Sequence, residues 1–212
     1  MKPIKTLLAV AAVALPLSLN ASVANAQPGG YYAQPASTQL PGGFHNREGR
    51  LIFGFSVMLG HLSDSEGKIG GDASTNYSTL SGGVSAHIGG FVGPRLALMA
   101  EVQGNAVTLS TDGFDDRTLV QSSLIGAAQY WITPQLWVKG GVGFANLSID
   151  DSYYDESTNI DNGLALMGGV GFELLSSQRF SVDLQGRLLA GSYDGIDQQI
   201  TSANIGVGIN WF

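Results

Sequence analysis

The chain contains no cysteine. That excludes disulfides, thiol catalysis, thiolate metal sites and a lipidated N-terminal cysteine. Charge is scarce as well: only 13% of the 212 residues are Asp, Glu, Lys or Arg, against about 25% in soluble domains. The shortfall is in the material that covers a water-facing surface, so something other than water must cover part of this fold. Long apolar runs are missing too. The run from Leu7 to Leu19 is about 13 residues long and broken by Pro16, whereas a spanning helix needs roughly 20. Any membrane crossing must therefore be made by strands.

What the N-terminus does carry is an export signal. Lys2 and Lys5 precede the apolar run, and Ala24-Asn25-Ala26 supplies small residues at a cleavage site, the three-part layout of a secretory signal peptide. Residues 1–26 read as that signal rather than as a single anchor. Residues 27–49, rich in Gln, Pro, Gly and Tyr, lack a period of 2 or 3.6 and read as a flexible lead-in. The alternatives, in which Tyr31 and Tyr32 dock on a partner or the segment plugs a barrel, are set below a solvated tail.

From residue 50 to 212 an alternating, glycine-spaced apolar pattern recurs about eight times, helped by 25 of the chain's 30 glycines. It runs from Leu51-Ile52-Phe53-Gly54-Phe55 to Val207-Gly208-Ile209-Asn210-Trp211-Phe212. One parity is bulky and the other is Gly, Ser, Ala or an occasional charge, which is the period of a strand with two unlike faces. Strands are expected at 50–62, 78–91, 95–108, 118–131, 135–147, 163–175, 179–191 and 200–212. Each exceeds the roughly 9 to 11 residues that a tilted strand needs to cross a bilayer. Short connections around residues 92–94, 132–134 and 176–178 alternate with long polar ones at 63–77, 109–117, 148–162 and 192–199. The expectation is an all-β fold, an eight-stranded antiparallel up-and-down transmembrane β-barrel, with turns and both chain ends on the periplasmic side.

Charge follows the same division. Thirteen of the 17 acidic residues fall in the four long segments, beside only Lys68 and Arg117. The net charge of −7 therefore resides chiefly in the loops, and nucleic acid, which calls for a basic patch, is excluded as a partner. Asp150 to Glu156 is dense in carboxylates but lacks the spacing of a calcium loop, so it reads as a solvated acidic loop and no metal site is assigned. Trp131, Trp137 and Trp211 fall near the periplasmic turns and the C-terminus, and are expected to form a periplasmic-side aromatic girdle at the membrane interface.

Periodicity alone does not say which face is outside. On strand six Leu164, Leu166, Val170 and Phe172 oppose Ala165, Met167, Gly169, Gly171 and Glu173. A soluble carrier would charge its water face densely, so the small-residue parity fits a crowded lumen instead. That points Glu101, Lys139, Glu173, Asp183 and Arg187 inward, with Gln103, Asn105 and Gln185. Confined ions are costly unless paired, so Lys139 and Arg187 are expected to bridge the three carboxylates in a lumenal charge network. An eight-stranded barrel is only just wide enough for side chains to fill, which favours a structural role. No catalytic residue is assigned. Of the three histidines, His61 alone, near Ser63 and Asp64, is a candidate for hydrolase or acyltransferase chemistry, and adjacent residues on one loop rarely build a triad.

With the strands, the loop asymmetry and the terminal aromatics in hand, residues 50 to 212 resemble the small outer-membrane β-barrel superfamily of the OmpA transmembrane-domain and OmpX type. The resemblance is carried by Phe180-Ser181-Val182-Asp183-Leu184-Gln185-Gly186-Arg187-Leu188-Leu189, the Gly191-to-Asp194 segment, and the closing Gly206-Val207-Gly208-Ile209-Asn210-Trp211-Phe212. It implies an integral outer-membrane protein of a Gram-negative-type envelope, monomeric, surrounded by lipid and without a cofactor. It further implies that Trp211 and Phe212 form a signal read by the barrel-assembly machinery. Here the strong apolar parity is Ile205, Val207, Ile209 and Trp211, which leaves Phe212 on the other parity and the register of the last strand open by one residue. No peptidoglycan-binding role carries over. An adhesin-like partner for the loops, or a small solute for the lumen, is the alternative function.

Overall fold

A computed structural model describes residues 43–64, 80–109, 117–151, 156–193 and 198–212. The signal segment, residues 27–42 and the tips of the four loops, with most of their acidic residues, lie outside the described residues. Eight strands follow one another: β1 (Leu51–Asp64), β2 (Leu80–Gly93), β3 (Leu96–Leu109), β4 (Arg117–Trp131), β5 (Leu136–Asp151), β6 (Glu156–Ser176), β7 (Phe180–Tyr193) and β8 (Gln198–Trp211). Each pairs antiparallel with the next, and β8 pairs with β1 to close the barrel. Closure removes every sheet edge, the condition for strands to cross lipid.

The alternation read from the sequence sorts the side chains as expected. Leu164, Leu166, Val170 and Phe172 lie on the exposed outer surface with Leu51, Phe55, Val142 and Phe144, while Ser85, Gln103, Asn105, Gln121 and Gln185 are buried inside. An outer surface this apolar, on a closed sheet, is suited to hydrocarbon rather than water. The core of the molecule is therefore its lumen.

The largest departures from the expected strands lie along β5 and β6. The segment 148–162, expected to be a loop, is largely a continuation of the β5–β6 hairpin, whose pairing reaches Asp151↔Glu156. Its residues carry no apolar alternation because both faces of a ladder that extends beyond the apolar outer band can be polar; Asn146 and Asn162, for instance, share a side-chain hydrogen bond of 2.9 Å. At the other end of β6, a bulge between Glu173 and Leu175 turns both Leu174 and Leu175 outward, and Glu173 stays buried. A bulge inserts one unpaired residue and so re-aims its neighbours.

The last strand resolves the question of register. Trp211 pairs with Phe53 and with Phe180, and its ring stacks on Phe53 on the outer surface at 5.3 Å. Phe212 turns the other way, with its ring edge-on to buried Phe91 at 5.7 Å. Consecutive residues of a strand face opposite sides, so both terminal aromatics are accommodated without a slip.

Candidate functional site

The end of the barrel with the short connections, here the turn end, and the opposite loop end both carry buried apolar side chains. Leu62, Val107, Leu119, Leu147, Tyr193 and Ile200 are buried at the loop end of their strands. Ile52, Phe91, Ala97, Trp131 and Trp137 are buried at the turn end. Between them sits a polar layer. Its centre is Glu101, fully buried on β3, which accepts a hydrogen bond from Lys139 Nζ at 3.0 Å and forms a second ion pair with Arg187. Arg187 also donates to Ser85 Oγ at 2.9 Å and through Nε to Gln185 Oε1 at 2.8 Å. Ser56 and Ser85 share a bond of 2.7 Å. One carboxylate thus holds two cations, and neighbouring hydroxyl and amide groups take part of the remaining guanidinium capacity, the arrangement a buried ion needs.

The other two inward carboxylates are placed elsewhere. Asp183 Oδ2 accepts from Asn210 Nδ2 at 2.8 Å, and Asn210 also reaches Ser181. Glu173 faces Asp183 across the β6–β7 pair, but its counter-ion is neither Lys139 nor Arg187. It is Arg47, from the lead-in expected to be a solvated tail. Arg47 Nη1 and Nη2 donate to the two Glu173 oxygens at 3.0 and 3.1 Å. Trp131 Nε1 adds 2.7 Å to Oε1, and Ser176 Oγ adds 2.5 Å to Oε2. Phe44 and Arg47 therefore pack into the turn-end mouth instead of extending into solvent, because a carboxylate as buried as Glu173 needs a cation and β3, β5 and β7 supply none to it.

The girdle expectation is corrected for two of its three members. Trp131 and Trp137 are 3% and 1% exposed and face the lumen. They share parity with the inward residues Gln129 and Lys139, so an outward ring would require a register break in mid-ladder. Trp131 donates to Glu173, and Trp137 lies 5.3 Å from the Lys139 ammonium, within range of a cation–π contact. Only Trp211 stands on the outer surface, with Phe53.

The histidines separate widely. His61 points outward near the loop end of β1, paired with Leu80 and Ala203 on the adjacent strands, and so away from the lumenal serines and carboxylates. His87 is buried inside. His45 belongs to the mouth segment, where burial, helped by the Arg47 cation, holds its imidazole below the usual 6.5 against an opposing pull from Glu173. The docked segment therefore binds a proton less readily than the free one. Docking is fully favoured above about pH 6.5 and weakens as pH falls through the lowered value. Among the described residues no group of three or more His, Asp or Glu could hold a metal ion.

No family model and no curated protein matches the chain. Among solved structures it is similar to Ail, the attachment invasion locus protein of Yersinia pestis, at 13% identity over 77% of this chain and 99% of that one, with a TM-score of 0.52. Ail in complex with the heparin analogue sucrose octasulfate gives the same figures. Neisserial surface protein A is similar at 16% identity over 76% and 96% of the two chains with a TM-score of 0.49. OprG from Pseudomonas aeruginosa follows at 11%, 78% and 96% with 0.45. At such identities the likeness concerns the fold, which is that of the small eight-stranded outer-membrane barrels.

Proposed function

We propose that this protein is a non-enzymatic, non-conducting integral outer-membrane barrel that reaches the membrane after loss of residues 1–26 and holds acidic loops at the cell surface. The observation that carries the reading is the layering of buried side chains along the lumen among the described residues. A polar layer tied together by Glu101, Lys139 and Arg187 lies between two apolar layers, and the turn-end layer is further covered by Phe44 and Arg47. Ions and small solutes would have to break buried ion pairs and cross dry side chains on both sides of them. On this reading the turn end faces the periplasm and the long loops face outward. A heparin-like polyanion, the type of ligand found in the Ail complex, does not carry over. Loops bearing most of the acidic residues of a chain with net charge −7 would repel it, and a cationic surface partner fits them better.

Planar bilayers containing the refolded full barrel test this. The expected record shows no stable conductance step at moderate voltage. A reproducible single-channel step would contradict the proposal and favour a solute channel.

A further inference from the structure

The geometry points to a built guanidinium-binding site in the turn-end mouth of the barrel, occupied in cis by Arg47, so that residues 44–50 act as a strap that closes the mouth and retains the terminal Phe212 inside it. Both terminal nitrogens and one plane of the Arg47 guanidinium have partners. Its edge is bidentate on Glu173, with Nη2 also donating to Ser176 Oγ at 3.2 Å and to the Ser177 carbonyl at 3.0 Å. Its plane covers the Phe212 ring at 3.7 Å, with the Trp131 ring 5.6 Å away. The planar fork of Arg suits a carboxylate and an aromatic face together, and the point charge of Lys does not.

The chain leading to β1 is shaped to deliver that side chain. Arg50 N donates to Arg47 O at 3.0 Å, closing a four-residue turn. Gly49 occupies its third position with φ of 74°, the left-handed conformation that a type II turn asks of glycine. Asn46 Oδ1 accepts from Glu48 N at 3.3 Å, a side-chain brace just ahead of the turn. Gly49 N and Arg50 O then continue the ladder against Phe91 at 3.1 and 2.9 Å. Arg50 Nη1 crosses to the Gln178 carbonyl at 2.9 Å, and the Arg95 guanidinium lies over Phe44 at 3.7 Å. The strap is thereby fixed to β2, to the β3 end and to the β6–β7 turn, on different sides of the mouth.

Limited trypsin digestion of the refolded chain lacking its signal, in detergent micelles, reads the strap directly. The cut after residue 47 is identified by mass, and heat-modifiable gel migration reports that the barrel stays folded. In the wild type the buried Arg47 bond resists cleavage. Glu173→Gln, Phe44→Ala and Arg47→Lys are each expected to be cut there about ten- to a hundredfold faster, since loss of a charge-assisted bond, or of a buried aromatic ring, raises the open population by that order. Phe44→Ala and Arg47→Lys lie outside every strand, so their barrels fold whatever becomes of Glu173→Gln. Wild-type cleavage as fast as in these variants would overturn the strap. Resistance of Arg47→Lys equal to wild type would overturn the specificity for guanidinium.

Discussion

Glu101→Ala is expected to destabilise the barrel by about 3–5 kcal/mol, the cost of leaving buried charge without its partner. Glu101 is 1% exposed and is the carboxylate that both Lys139 and Arg187 reach. Its removal deprives both buried cations of the one carboxylate they share. Lys139→Ala or Arg187→Ala leaves Glu101 paired with the remaining cation, so each single loss is expected to cost less than Glu101→Ala. Urea unfolding in lipid vesicles, followed by the shift between folded and unfolded gel mobility, gives the ranking. If Lys139→Ala and Arg187→Ala both melt like the wild type, the ion pairs do not stabilise the lumen. Replacing all three residues by apolar side chains of similar volume should recover most of the loss, because a buried ion cluster is worth little net against good packing.

The second large effect is at Trp137. Its ring fills the turn end of the lumen and lies across Gly171, the residue that pairs with it on β6. Glycine is required there by close approach: a Cβ at position 171 would collide with the indole ring. Trp137→Ala is expected to cost about 3–5 kcal/mol, as for large aromatics deleted from packed cores. Gly171→Val should cost about 1–3 kcal/mol through overpacking. The same unfolding titration measures both. A Trp137→Ala chain as stable as the wild type would mean that the turn end is not packed.

The sequence carried most of this fold because an apolar outer face and a lumenal inner face impose a period of 2 on the strands, broken only locally, as at the bulge between Glu173 and Leu175. It carried the central site for the same reason: Glu101, Lys139 and Arg187 share the inward parity. Arg47 was not legible, since one arginine in a Gln- and Gly-rich lead-in has no periodic context. A signal was nevertheless present, in that three inward carboxylates faced only two inward cations. Glu173 and Asp183 sit side by side, and that pairing required either another cation or local amide donors; Arg47 and Asn210 supply these. Trp131 and Trp137 were misplaced for a different reason. The parity they share with Lys139 and Gln129 overrides the preference of tryptophan for membrane interfaces, because ladder geometry is the stronger constraint. Where β5 and β6 leave the lipid, polarity on both faces erases the pattern, so their true length could not be seen.

The assignment of the two faces is tested most directly by the fluorescence of chains that retain a single tryptophan, refolded into vesicles containing phospholipids brominated along the acyl chain. With Trp211 alone, on the outer surface beside Phe53, emission should be strongly quenched. With Trp137 alone, inside the lumen, it should be nearly unaffected. Quenching of Trp137 as strong as that of Trp211 would contradict a barrel with its polar face inward and its apolar face in lipid.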